Sequence, residues 1–165
     1  MAAALRLVQK ISATHAFAKV APHVIPAMDR AVHGLTRGKV LPSARMLPGL
    51  VLTVRGARTG LPRRTPLACV PEKAPEGAGT WLLVGSNFGR PAHPAWTTNL
   101  LAHPDAEVSL HGETIPVRAT LLTGDLRAVA WESALRFWPP YATYQARAPR
   151  EIRVFRLTRR EVGDA

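Results

Sequence analysis

From Leu50 onward the chain is cut into short extended runs, and this restricts its fold more than any other feature. "LVLTVR" (50–55) is apolar and β-branched. "GARTGLPR" (56–63) carries two glycines and a proline and reads as a turn. "RTPLACV" (64–70) is a second run, and the two form a predicted hairpin. "TWLLVG" (80–85) is a third run. "AEVSLHGETIPVRATLL" (106–122) reads as a hairpin about His111-Gly112, and "EIRVFRL" (151–157) is the sixth strand. Short strands joined by turns pair antiparallel, and six of them can curl into a small closed or partly closed barrel. The predicted fold is therefore mainly β within an α+β class. "PEKAPEGAG" (71–79) is a predicted exposed loop tip. Pro94 opens a short peripheral helix, "PAWTTNLLA". Asp125 is the predicted cap of another, running to about Trp138 with an apolar face of Leu126, Val129, Ala130, Ala134 and Phe137.

The first 45 residues follow a different period. Residues 3–21 carry a weak helical stripe of Ala4, Leu7, Val8, Ile11 and Ala18. A second helix is predicted from Pro26, with Met28, Val32 and Leu35 on one face and Arg30, His33 and Arg37 on another. This divides the chain into a basic helical segment, 1–45, and a barrel domain, 46–165. The charge follows the same asymmetry. Residues 1–64 hold 11 basic residues against Asp29 alone, a net of +10, whereas residues 65–165 hold 11 basic and 10 acidic residues, a net of +1. Such an excess suits an anionic partner such as a phosphate, a nucleic acid or an acidic lipid surface. An Arg-rich composition by itself explains part of it.

Several classes are disfavoured, a signal or transit peptide at the N-terminus among them. No run of about 18 apolar residues crosses a membrane as a helix, and Arg6, Gln9 and Lys10 break the apolar stretch that a signal peptide needs. A single cysteine, Cys69, permits no internal disulfide and fits a reducing cytoplasm. The six histidines (15, 23, 33, 93, 103, 111) have no metal-ligand spacing. No phosphate-binding Walker loop or Gly-x-Ser-x-Gly elbow is present.

Three stretches carry candidate chemistry. In "GARTG" the glycines allow backbone N–H groups to approach an anion that Arg58, Arg63 and Arg64 can grip; an ordinary basic turn has the same sequence. "GSNFG" (85–89) ends a strand with a hydroxyl and an amide, and reads as a ligand platform or as a solvated turn. "RFWPPYATYQAR" (136–147) places Trp138, Tyr141 and Tyr144 three residues apart, as a core corner or as the lid of an aromatic ligand.

Taken with "LVLTVRGARTGLPRRTPL", the segments "VGSNFGRPAHPAWTTNLLAHP", "VSLHGETIPVRATLL" and "WPPYATYQARAPREIRVFRL" resemble, in this order and spacing, the deazaflavin-dependent nitroreductase family, also called F420-dependent quinone reductases. The resemblance spans about residues 26–158. It implies a six-stranded split β-barrel, usually dimeric, that binds the 8-hydroxy-5-deazaflavin coenzyme F420. It also implies hydride transfer from the reduced coenzyme to a quinone, a nitroaromatic or an activated alkene. Carried over by position, cofactor contacts fall on Leu52, Thr53, Arg58, Thr59, Gly60, Pro62 and Arg63, then Val84, Gly85, Ser86 and Asn87 under the ring, then Ala95, Trp96, Asn99 and Tyr141. The resemblance places Tyr141, Tyr144 and Ser86 as the catalytic donors. The family pattern is departed from at Ala57, Ala68, Phe88, Thr97 and Trp138. Three readings stand beside this one: an FMN-dependent barrel reductase, a non-catalytic barrel for a lipid or tetrapyrrole, and, ranked last, a nucleic-acid binder. The +10 segment is expected to hold a cytoplasmic enzyme against the inner face of an anionic membrane, where quinones dissolve.

Overall fold

The computed structural model describes residue 14, residues 48–72 and residues 79–160. The two predicted N-terminal helices, the boundary at residue 45 and most of the predicted loop tip lie outside the described residues.

The alternation of apolar side chains builds seven strands. They are β1 (Gly49–Arg55), β2 (Pro62–Ala68), β3 (Val70–Glu72), β4 (Thr80–Val84), β5 (Asp105–Leu110), β6 (Glu113–Leu121) and β7 (Val154–Arg159). Every pairing is antiparallel, in the order β2-β1-β5-β6-β7-β4-β3. The two edge strands, β2 and β3, are separated in sequence by Cys69 alone, whose N–H donates to the Pro48 carbonyl at 2.9 Å. The edges of the curled sheet therefore meet at one residue. Counted as a single strand kinked at Cys69, β2 and β3 restore the predicted six.

The strands alternate as a half-buried sheet requires. In β6, Ile115, Val117 and Ala119 point inward while Thr114, Pro116, Arg118 and Thr120 point out. The β5–β6 hairpin turns on His111 and Gly112, at φ 51° and 87°, the left-handed pair that matches the twist of the flanking strands.

Strands β4 and β7 are apolar on both faces because two cores share them. Inside the barrel, Leu50, Leu52, Trp81, Leu83, Val108, Val117, Phe155 and Leu157 pack together. Outside it, Val70, Leu82 and Val154 meet the helices α2 (Gly124–Phe137) and α3 (Pro140–Arg147). A third helix, α1 (Ala95–Ala102), seats Trp96 and Leu100 in the inner core, with Trp96 and Phe155 rings 5.9 Å apart.

Three local expectations are corrected. Thr123, not Asp125, occupies the position before α2; Asp125 lies in the first turn, where its charge complements the helix dipole. The predicted apolar face of α2 splits. Ala130 and Ala134 are buried, but Leu126 and Val129 are 62% and 63% exposed. The helix packs through a narrower stripe, Ala130, Ala134 and Trp138, because small alanines allow close approach to the sheet. The last strand begins at Val154 rather than Glu151. The backbone groups of Ile152 are bound by side chains instead: its N–H donates to Gln145 Oε1 at 2.9 Å and its carbonyl accepts from Arg127 Nη2 at 2.9 Å.

Candidate cofactor site

Two glycine-containing segments and the helix between them make the site. The first is the β1–β2 turn. The Gly60 N–H donates to the Gly56 carbonyl at 2.8 Å, and the Gly56 N–H to the Leu61 carbonyl at 2.8 Å. A Cβ on Gly56 would meet Thr59 Oγ1 at 2.8 Å, and Gly60 holds φ at +67°, so both positions favour glycine for separate reasons. Around this turn Arg58, Arg63 and Arg64 are exposed. Among the described residues no carboxylate lies within ion-pair distance of any of them. Arg63 reaches Thr59 Oγ1 at 3.4 Å. The turn is fixed from α1, where Asn99 Oδ1 accepts the Ala57 N–H at 3.0 Å.

The second segment follows β4. The Gly85 N–H is tied to the Arg153 carbonyl at 2.8 Å. A Cβ on Gly85 would meet Thr97 Cγ2 at 2.8 Å, so α1 also braces this end. Asn87, Phe88 and Gly89 then take φ of 46°, 55° and 78° in succession. Left-handed backbone at a phenylalanine costs on the order of 1–2 kcal/mol, and such conformations persist where the surroundings impose them. Here they do. Asn87 Nδ2 donates to the Ala92 carbonyl at 2.9 Å, and Arg147 Nη1 to the Phe88 carbonyl at 3.3 Å. The Phe88 ring stands edge-on to Tyr144 at 5.8 Å. A Cβ on Gly89 would lie 2.7 Å from the Tyr144 carbonyl.

At the centre of this segment lies the guanidinium of Arg150. Its Nε donates to Pro91 O at 3.0 Å, Nη1 to Gly85 O at 3.4 Å and His93 Nδ1 at 3.1 Å, and Nη2 to Ser86 O at 3.2 Å and Ala92 O at 3.1 Å. A guanidinium has five N–H donors, so all are engaged, and none by a carboxylate. Residues 85–93 are wrapped around one cation. Nearby, Arg153 Nη1 donates to the hydroxyl of fully buried Thr97 at 3.1 Å. Burial, with Arg150 and then Arg153 beside it, holds His93 below the ordinary imidazole range.

The structure brings half of the predicted site residues into two segments that α1 braces, one through Asn99 and the other through Thr97. Arg58, Thr59, Gly60 and Arg63 form the turn, Asn99 anchors it, and Gly85, Ser86 and Asn87 form the segment around Arg150. Thr53 and Pro62 line an open cleft of about 550 Å³ with Arg55, His103, Glu107 and Arg160. Ala95 is exposed at the start of α1 and Val84 is half-buried at the end of β4. Leu52 and Trp96 are in the inner core at 0% and 6% exposure. Tyr141 and Tyr144 are in the outer core, at 6% and 2%, with ring centroids 6.1 Å apart. Burial, reinforced by Tyr144 and Cys69, pushes the Tyr141 phenol above its ordinary range, so it stays protonated. Among the described residues no group of three His, Cys, Asp or Glu side chains is placed to hold a metal ion.

His93 belongs to the segment around Arg150, and neither residue was singled out by pattern reading. Each partner of Arg150 lies 57 to 65 residues away in sequence, so no local spacing announces the contact.

Comparison with known proteins shows the family and the fold. A family model described as F420H(2)-dependent quinone reductase matches residues 25–159. A protein of Mycobacterium tuberculosis (strain H37Rv) named F420H(2)-dependent quinone reductase is 31% identical over 141 residues, covering 79% of this chain and 87% of that one. A solved structure of an F420-H2 dependent reductase (FDR-A) is 35% identical, with a TM-score of 0.59 over 67% of this chain and 93% of that chain. Another solved chain, described as a domain-swapped dimer, is 30% identical, with a TM-score of 0.61 over 78% of this chain and 94% of that chain.

Proposed function

This chain belongs to the F420H(2)-dependent quinone reductase family and is an F420H2-dependent oxidoreductase with a split-barrel fold; from that premise we propose that it reduces a quinone at the platform formed by residues 84–93. The observation that carries this reading is the pair of segments braced by α1: a glycine turn whose cations have no carboxylate partner among the described residues, and a polar segment held around Arg150. The donor set fits the coenzyme. A phosphodiester and carboxylates suit Arg58 and Arg63 with the free face of the turn, and a flat ring suits the Val84–Asn87 backbone.

When bound, the reduced deazaflavin supplies a hydride, two electrons at a time. The protein's part is to hold ring and acceptor in register and to stabilise charge that develops on the acceptor oxygen. Ser86 is the proposed hydroxyl donor. Tyr141 and Tyr144, buried in the outer core, are assigned to the support of Phe88 and the platform rather than to direct proton donation. Nitroaromatics and activated alkenes are acceptors of the same electronic class, and competition among the three ranks them.

The +10 charge of residues 1–64 supports a location at an anionic membrane surface, and the division into a basic 1–45 segment and a 46–165 domain. The likeness to a chain described as a domain-swapped dimer supports self-association.

The test is fluorescence titration with coenzyme F420, FMN and haem, followed by loss of reduced-coenzyme absorbance on adding a quinone. Submicromolar binding of F420 with rapid oxidation by quinone is expected. Preference for FMN or haem overturns the cofactor assignment, and F420 binding without quinone reduction overturns the acceptor.

A further inference from the structure

His93 sits at the rim of the Arg150 knot, and the knot decides where its proton is. A guanidinium can only donate. Its 3.1 Å contact with Nδ1 therefore requires an unprotonated Nδ1 and puts the imidazole proton on Nε2. No residue among those described accepts from that Nε2–H. His93 is half-buried, and it shares a guanidinium with the Gly85 and Ser86 carbonyls of the platform. The tyrosines expected as donors are sequestered in the outer core. We propose that His93, locked by Arg150 as the neutral Nε2–H tautomer, is a catalytic hydrogen-bond donor to the oxygen of the quinone acceptor. This rests on the quinone-reductase reading above and names a further residue of the same site.

The balance is simple. A hydride supplied by the reduced coenzyme would form a new C–H bond at a quinone ring carbon; the displaced π-electrons end on the carbonyl oxygen, which takes a proton from water, and tautomerisation then gives the hydroquinone. His93 keeps its own proton throughout, because a neutral imidazole polarises a carbonyl without becoming an anion. Arg150 is a positioning residue that acts through His93.

Two substitutions separate the atoms. In His93→Asn, the side-chain oxygen still accepts from Arg150 but no donor reaches the Nε2 position. In His93→Gln, the longer side chain places an N–H near Nε2. Stopped-flow oxidation of bound reduced coenzyme by saturating quinone is expected to slow at least about tenfold in His93→Asn, and to recover most of that loss in His93→Gln. Coenzyme affinity should stay within about twofold in both, since the phosphate grip is elsewhere. The second readout needs no coenzyme. Nitrogen-15 spectra of the labelled protein at neutral pH should show His93 as the Nε2–H tautomer, and Arg150→Lys should shift it toward a tautomer mixture. An Nδ1–H imidazole in the parent protein overturns the inference, as does His93→Asn at the parental rate. A parent that binds no deazaflavin overturns the functional reading and this inference together.

Discussion

Replacing Arg150 with methionine removes five donors from residues 85–93 while keeping much of the aliphatic stem. Four of the acceptors are backbone carbonyls, of Gly85, Ser86, Pro91 and Ala92, and the fifth is His93 Nδ1. A hydrogen bond from a charged donor contributes about 1.5–3 kcal/mol and a neutral one about 0.5–1.5 kcal/mol. The side chain is only half-buried, so water replaces part of the lost bonding. Working from two effective bonds rather than five, each taken at the low end of that range, about 1.5–2 kcal/mol, the expected cost is about 3–4 kcal/mol. Arg150→Lys should cost about 2 kcal/mol, because three donors cannot satisfy five acceptors held in a planar fan. In a domain of this size each kcal/mol lowers the melting temperature by roughly 2–4 °C, so the methionine variant should melt about 6–16 °C lower. Urea denaturation followed by tryptophan fluorescence measures this, since Trp96 and Trp138 report on the two cores. The same variant should release the left-handed Asn87–Gly89 turn and weaken coenzyme binding by more than its loss of stability implies. A methionine variant within about 0.5 kcal/mol of the parent would refute the claim that one cation organises the platform.

Further outcomes follow from the same geometry. Arg58→Ala should weaken coenzyme binding ten- to a hundredfold through loss of a charge-assisted contact of about 1.5–3 kcal/mol, and an unchanged affinity by titration removes the turn from the site. Gly89→Ala should destabilise the protein by about 2–3 kcal/mol, since the residue holds φ +78° and its Cβ would lie 2.7 Å from the Tyr144 carbonyl; an unchanged urea midpoint contradicts that packing. Tyr144→Phe should change the rate of quinone reduction by less than about threefold, whereas a loss near a hundredfold, typical of a lost oxyanion donor, would return the phenol to the acceptor. His93 is held below its ordinary value of 6.5 by burial, Arg150 and Arg153. The unfolded chain therefore binds the proton first, so this residue leaves stability unaffected above that value and lowers it as pH falls through the window beneath it. Urea midpoints at neutral and mildly acidic pH should show that slope in the parent and a shallower one in His93→Asn.

What pattern reading recovers and what it misses follow from the range of the forces involved. Strand identity is local. The alternation in "ETIPVRATL" and the turn chemistry of His111-Gly112 required only neighbouring residues. The Gly56–Gly60 turn was legible for the same reason, although its anchor, Asn99, is 42 residues from Ala57 and was expected to meet a ligand instead. Leu126 and Val129 show the converse. Their helical spacing fits an apolar stripe, yet α2 buries its alanines, because which stripe meets the sheet depends on how closely two elements approach. The kink at Cys69 was invisible because it marks an exchange of partners, β1 for β2 and β4 for β3, and no residue type announces that exchange. Glycine misleads in a similar way. Gly85 and Gly89 look like places for a ligand to approach backbone, but their Cβ positions are filled by Thr97 and by the Tyr144 carbonyl. The glycines bring α1 and α3 against the platform. The cation that holds the segment, Arg150, comes from a stretch of chain about 60 residues downstream in sequence. A segment assembled around one guanidinium in this way is recognised by counting its donors in three dimensions, not by any motif along the chain.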